Sequence, residues 1–157
     1  MEFAFKHPEK LCGLVLSGCS TNPRGAITIP PRIGAFFTRI LSERMLSSLN
    51  RIIFRRIFAP EIADPIIADG FYFRAVPQIV SEIAGRNFSK MVSGIAVPIL
   101  FLNGEKDIIF RQDELVFLAS AHNAKLEIIP GANHLCSLQK PAVFNLAIEN
   151  FAAALEW

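Results

Sequence analysis

Two residues, Asp107 and His134, have the types and the positions that acid–base catalysis needs. Asp107 follows the short apolar run Val97–Leu102 (VPILFL), and His134 follows a second run, Lys125–Ile129 (KLEII). A carboxylate can hold an imidazole in one tautomer and stabilise its charged form, while the imidazole takes a proton from a nucleophile and returns it to a leaving group. The 27 residues between them leave room for a loop, a helix and a strand. We therefore expect both side chains at one edge of a sheet.

The elements that must position this pair have the order of a parallel α/β protein. Short runs that are apolar on both faces are typical of buried parallel strands. We predict strands at Leu11–Ser17, Val97–Leu102 and Lys125–Ile129, and helices at Gln112–Ala121 and after Pro141. The predicted fold class is α/β, with a partial parallel sheet of about three strands flanked by helices. Functional sites in such sheets gather at the carboxyl ends of the strands.

A long stretch of predicted helices interrupts this alternation of strands and helices. Turn signals at Asn22-Pro23 and Pro30-Pro31 are followed by apolar residues at helical spacing, and past Asp64-Pro65 and Asp69-Gly70 another helix is predicted at Pro77–Ala84. We interpret residues 20–95 as an inserted helical cap, or lid. Residues 1–19 and 96–157 then form the core.

The two site loops, VPILFLNGEKDIIF and KLEIIPGANHLCSLQKP, resemble those of the α/β-hydrolases. In that family the chain order is nucleophile, acid, base. The resemblance implies that Asp107 is the acid and His134 the base, and that MEFAFKHPEKLCGLVLSGCS corresponds to the end of the helix after the nucleophile plus the next strand. The chain departs from the family pattern at Asn133, where a small residue is usual, and at Gln139, where an acidic residue is common.

The nucleophile itself is missing from the pattern. The family carries it in a G-x-S-x-G turn, and no such motif occurs in the 157 residues. Ser17 and Cys19 in LSGCST come nearest to this motif, but they follow a different strand from the one that carries the nucleophile in the family. Met1 also has no capping residue before it, so we expect an upstream segment that carries a strand, a nucleophile and a helix. That nucleophile could be Ser, Cys or, as in related dehalogenases and epoxide hydrolases, Asp.

Two functions therefore stay open at this stage. In the first, the chain is the C-terminal half of a hydrolase that cleaves an ester or similar bond, and it is inactive alone. In the second, it is a non-catalytic protein that acts in binding or assembly, and Asp107 and His134 are an ordinary turn residue and a surface histidine. An unpaired edge at Leu11–Ser17 could then drive self-association.

Composition narrows the class of protein further. With 52% hydrophobic and 19% charged residues and a net charge of +2, the chain is neither disordered nor a nucleic-acid binder by charge. It has no apolar run long enough to span a bilayer, and Met1–Lys10 lacks a signal-peptide core. Three cysteines without a C-x-x-C pair indicate no disulfide framework, metal site or cofactor. We expect a cytoplasmic protein.

The predicted lid is basic and aromatic. It carries seven arginines between residues 24 and 56 against a single acid, Glu43. These form either a solvated outer face or a contact for an anionic membrane surface or an acidic substrate. Its aromatic residues favour a small apolar substrate: Phe36, Phe37, Phe54, Phe58, Phe71 and Phe73. Cys136, two residues after His134, either lines the site or is a small buried hydrophobe.

Overall fold

Three parallel strands form the sheet that carries the site. A computed structural model describes residues 1–155 and places β1 (Leu14–Ser17), β2 (Ile99–Gly104) and β3 (Ala124–Ile129) in the order β1-β2-β3. Leu16 lies opposite Phe101, and Phe101 lies opposite Leu126. All six residues of β2 are buried, as expected for a central strand covered on both faces. The predicted α/β class with a partial parallel sheet is confirmed.

The first strand begins three residues later than the sequence predicts. Pro8–Lys10 form a 3-10 turn, and the sheet ladder starts only where the Leu14 N–H donates to the Pro98 carbonyl at 2.9 Å. Gly13 lies so close to Leu155 that an added Cβ would come within 2.6 Å of its Cδ1. The residues before Leu14 are therefore occupied with turn formation and with packing against the C-terminal helix.

Helices cover both faces of the sheet. They are α1 (Glu2–Lys6), α6 (Phe88–Val92), α7 (Glu114–Ser120), α8 (Cys136–Gln139) and α9 (Pro141–Ala153). Because side chains alternate along a strand, Phe101 packs with Phe117 of α7 on one face, while Leu102 packs with Ala147 of α9 on the other. The rings of Phe101 and Phe117 meet edge to face, with centroids 6.1 Å apart. These two apolar clusters fix the sheet between its helices.

Residues 23–86 form a second compact unit, which we call the insertion. The other unit is built by residues 1–22 and the described residues from 87 onward. It contains α2 (Ile29–Ile40), α3 (Glu43–Ile57), α4 (Pro60–Asp69) and α5 (Val76–Ile83). Helix α2 packs on α5, and α3 packs on α4. The Ser42 hydroxyl caps α3 by accepting from the Met45 N–H. None of the described helices is long and apolar enough to cross a bilayer.

Helix α4 differs from the sequence-based expectation. Asp64-Pro65 reads as a turn signal, yet Pro65 lies inside the helix. The proline removes one N–H from the ladder, a loss that packing of α4 against α3 outweighs here. Gly70, with a φ of +87°, then ends the helix in a conformation that glycine readily adopts.

Candidate active site

The loop after β2 carries Asp107 into a buried position. The Glu105 N–H donates to the Ile129 carbonyl at 3.0 Å, and the Lys106 N–H donates to the Ala132 carbonyl at 2.8 Å, so the loop is tied to the end of β3. Asp107 is only 4% exposed. Its Oδ1 accepts a hydrogen bond from the Phe110 N–H at 3.0 Å. One carboxylate oxygen is thereby held by the backbone, and the other is left for a second partner.

That partner is His134, in the loop after β3. The distance between His134 Nδ1 and Asp107 Oδ2 is 2.9 Å. The side chain of Asp107 is 3% exposed, whereas that of His134 is 44% exposed. When Nδ1 donates its proton to the carboxylate, Nε2 holds the lone pair, and it has no hydrogen-bond partner among residues 1–155. The imidazole is thus anchored at one nitrogen and open at the other.

The imidazole ring is contacted by Phe110 and lies close to Gly18. The ring of Phe110 stacks on it, with centroids 4.0 Å apart and an interplanar angle of 29°. On Gly18, which has a φ of +58°, an added Cβ would lie 2.9 Å from both Cε1 and Nδ1 of His134. Glycine is required there by conformation and by space together. The ring therefore lies in a slot that restricts its rotation.

The two departures from the family pattern brace the histidine loop. The Asn133 N–H donates to Gln139 Oε1 at 2.8 Å, and Asn133 Oδ1 accepts from the Leu135 N–H at 2.9 Å. Each amide oxygen thus accepts one backbone N–H of this loop. Gly104 at the end of β2 lies directly against the Asn133 carbonyl. The backbone on either side of His134 is therefore fixed from three directions.

A charged clamp, which the sequence analysis missed, holds the acid loop. Arg111 makes a two-pronged contact with Glu114, with Nη2–Oε1 at 2.6 Å and Nε–Oε2 at 2.8 Å, and its Nη1 donates to the Glu105 carbonyl at 2.9 Å. The hydrogen bond that Arg111 donates to Glu114 raises the pKa of Arg111 above its ordinary value. The only sequence signal for it is the i,i+3 spacing of opposite charges.

The same architecture occurs in many solved structures. The chain aligns with a thermophilic esterase from Thermogutta terrifontis (22% identity, TM-score 0.68), an α/β-hydrolase enzyme from a Medee basin deep-sea metagenome (14%, 0.75) and an enol-lactonase from Burkholderia xenovorans (18%, 0.71). The alignments cover 96%, 99% and 96% of this chain. The fold is that of the α/β-hydrolases. No family model and no curated protein sequence matches the chain.

The α/β-hydrolase fold is represented here in part. The chain spans 59%, 61% and 60% of the lengths of those three structures. At these identities the likeness concerns the fold, and activity has to be argued from the site.

Ser17, Cys19 and Cys136 have no hydrogen bond to the His134 ring among the described residues. Ser17 Oγ lies 3.5 Å from Cys136 Sγ. Burial raises the pKa of Cys19 to about 11, which keeps it a protonated, unreactive thiol at neutral pH. Cys136 is 1% exposed and packs in the cluster with Leu102 and Ala147. None of the three has the environment of an activated nucleophile.

The described part of the chain contains no set of metal ligands. Residues 1–155 contain no group of three His, Cys, Asp or Glu side chains placed to hold a metal ion. Cys12, Cys19 and Cys136 are free thiols.

Proposed function

We propose that Asp107 and His134 are the acid and the base of a hydrolase that cleaves an ester or a similar bond through a covalent intermediate. The observation that carries this proposal is the 2.9 Å hydrogen bond between His134 Nδ1 and a buried carboxylate, at the carboxyl ends of two neighbouring parallel strands. A purely structural histidine would have no need of a slot that holds one ring nitrogen and leaves the other open.

The residues present define what each would do. His134 Nε2 takes the proton of the attacking group, and Asp107 stabilises the imidazolium that forms. The same Nε2 then returns the proton to the leaving group. The Phe110 N–H donates to Oδ1 of Asp107, which leaves Oδ2 as the acceptor for the imidazole.

The nucleophile belongs, in this proposal, to a segment outside the 157 residues. No G-x-S-x-G motif lies within them, and the fold's chain order puts the nucleophile before the acid and the base. We propose that this segment pairs beside β1, the strand next to β2 on the side away from β3. Its central residue, Ser, Cys or Asp, decides the type of covalent intermediate.

We further propose that the substrate is small and apolar. Phe54 contacts Phe58 and Phe71 in tilted ring pairs, and Phe71 contacts Phe73 in the same way, so these four rings mainly fill the insertion's own interior. Phe36 and Phe37 remain 58% and 44% exposed on α2 and are available to a ligand. An apolar lining with few polar groups is usual for small-molecule pockets. Of the similar structures, one is named as an esterase and another as an enol-lactonase, and both names refer to hydrolases.

The test uses the chain with and without the genomic sequence that precedes it. The chain alone should hydrolyse p-nitrophenyl acetate no faster than buffer, because base and acid have no group to activate. The chain extended upstream by a strand, a G-x-S-x-G or G-x-D-x-G turn and a helix should be active. His134→Ala should then lower kcat at least about a thousandfold, and His122→Ala, at an exposed histidine, should not.

Two results would overturn the proposal. One is ester hydrolysis by the chain alone that His134→Ala abolishes after repurification, since that would place a nucleophile within these residues. The other is an extended protein whose activity survives His134→Ala.

A second function, self-association, is favoured by the position of β1. Within the described residues β1 pairs with β2 alone, so its other edge presents free backbone groups beside Val15 and Leu16. Such edges recruit further strands. Sedimentation at tens of micromolar should show dimers or larger species, and Val15→Lys should reduce them. A stable monomer at these concentrations would argue against this function.

A further inference from the structure

A cleft lies between two helices of the insertion, α2 and α5. Its volume is about 400 Å³, within the range of about 300–1,000 Å³ that small-molecule sites occupy. Helix α2 contributes Arg32 and Arg39, and α5 contributes Ser81 and Val80. The cleft is formed entirely by residues of one compact unit. No residue that lines it is acidic.

The two arginines of the cleft differ from Arg55 and Arg74 of the same unit, which are in ion pairs. Arg55 pairs with Asp64 at 3.2 Å and Arg74 with Glu43 at 2.7 Å. In contrast, neither Arg32 nor Arg39 has an ion pair or a side-chain hydrogen bond within the part of the chain that is described. They are seven residues apart, two helical turns and about 10 Å along α2, so both reach the same cleft from one helix face.

The wall between the arginines is apolar and aromatic. Ala35 is 7% exposed at the contact between α2 and α5, and Phe36 presents a ring that is 58% exposed. Val80 completes the apolar surface from α5. Two guanidinium groups that face a cavity without acids attract an anion, and arginine binds phosphate and carboxylate through paired N–H groups. The adjacent apolar wall favours a ligand that also has a hydrocarbon part.

We infer that the cleft between α2 and α5 binds an anionic amphiphile, a small apolar molecule that ends in a phosphate or carboxylate group. Arg32 and Arg39 hold the anionic group, and the Ser81 hydroxyl can donate to it from the opposite helix. Ala35, Phe36 and Val80 contact the hydrocarbon part. Such binding needs neither Asp107 nor His134, so it can be tested apart from hydrolysis.

The test is calorimetric titration of the 157-residue chain with hexyl phosphate, with hexanoate as the carboxylate probe. Hexanol and inorganic phosphate serve as the tail and head group alone. Hexyl phosphate should bind saturably and more tightly than either part. Arg32→Gln and Arg39→Gln should each weaken binding about tenfold, since each removes charge-assisted hydrogen bonds. The control Arg51→Gln, at another exposed arginine without an ion pair among the described residues, should leave binding unchanged.

A second pair of variants tests the site from α5. Ser81→Glu places a negative charge in the cleft and should weaken hexyl phosphate binding at least as much as the loss of an arginine. Ser81→Gln, of similar size and uncharged, should have little effect. Ser81 is exposed, and circular dichroism checks that the helices remain in both variants.

Vesicles of phosphatidylcholine with and without phosphatidic acid identify the source of the anionic group. Arginine-dependent binding to the anionic vesicles, displaced by hexyl phosphate, assigns the site to a lipid head group. Arginine-dependent binding of hexyl phosphate without vesicle binding assigns it to a soluble ligand. The inference is overturned if no probe binds saturably, if hexanol binds as tightly as hexyl phosphate, or if Arg51→Gln weakens binding as much as Arg32→Gln.

Discussion

The two compact units bury their side chains to very different extents. Every residue of β2 is buried, and Val92, Ile95 and Phe117 around it are fully enclosed. In the insertion, by contrast, α5 has no buried residue, and α2, α3 and α4 have one each. The core thus holds the loops of Asp107 and His134 on a closely packed sheet, with Asp107 buried and His134 partly exposed. In the insertion, each helix packs through one apolar face only.

This difference follows from the patterns of the two sequences. A central parallel strand is covered on both faces, so β2 is apolar at consecutive positions. Helices α2 and α3 of the insertion combine apolar residues with arginines, as amphipathic helices do, and several of their apolar residues stay exposed. Single side chains should therefore count for much more in the core than in the insertion.

The largest expected effect is the loss of a core aromatic ring. Phe101→Ala should lower the free energy of unfolding by about 3–5 kcal/mol, because it removes buried surface and leaves a cavity beside Phe117. In the insertion, Ile52→Ala should change it by no more than about 0.5 kcal/mol, since Ile52 is 57% exposed. Urea unfolding followed by circular dichroism measures both. Equal losses would mean that the insertion's surface residues are as constrained as the core.

Two glycines sharpen the same comparison with a single added methyl group. A Cβ at Gly104 would collide with the Asn133 carbonyl, so Gly104→Ala should cost about 1–3 kcal/mol and shift the loop that carries His134. At Gly34, inside α2, a Cβ meets nothing within 4 Å. Gly34→Ala should therefore stabilise the chain by up to about 1 kcal/mol through helix propensity.

Thermal unfolding measures the stability changes, and the NMR signals of His134 report on its loop. Those signals should move in Gly104→Ala and stay in place in Gly34→Ala. A well-tolerated Gly104→Ala would show that the loop can move aside, and it would weaken the view that the core fixes the histidine.

The sequence predicted the parts of the site that depend on local pattern. Apolar runs identified the strands, and strand ends identified Asp107 and His134 as neighbours, because parallel strands bring their carboxyl ends to one edge. The structure places the two side chains in hydrogen-bond contact.

The contacts that hold the pair in place were not predictable in this way. The stacking of Phe110 on His134, the close approach of Gly18 and the bridge from Asn133 to Gln139 join residues by tertiary packing. A one-dimensional pattern contains no such distances. Pro65 was misleading for the same reason, since packing of α4 on α3 outweighs the local signal of a proline.

The thiol of Cys19 reports on the core alone, since the insertion has no cysteine. Burial raises the pKa of Cys19 to about 11, from an ordinary value of 9.0. At pH 8 the folded chain should therefore contain about a hundredfold less Cys19 thiolate than the unfolded chain, and alkylation by iodoacetamide should be slower by a similar factor. Mass spectrometry of the Cys19 peptide measures the rate.

The raised pKa of Cys19 also makes the stability of the fold depend on pH. The folded chain holds the Cys19 proton more tightly than the unfolded chain, so this contribution to stability is complete below about pH 9 and is lost as the pH rises toward about 11. Cys19→Ala should flatten the decline of stability across that window, whereas Gly34→Ala should leave its slope unchanged. If Cys19 is alkylated as fast in the folded as in the unfolded chain, the core beside β1 opens readily. The difference in burial between the core and the insertion would then not hold for the residues beside β1.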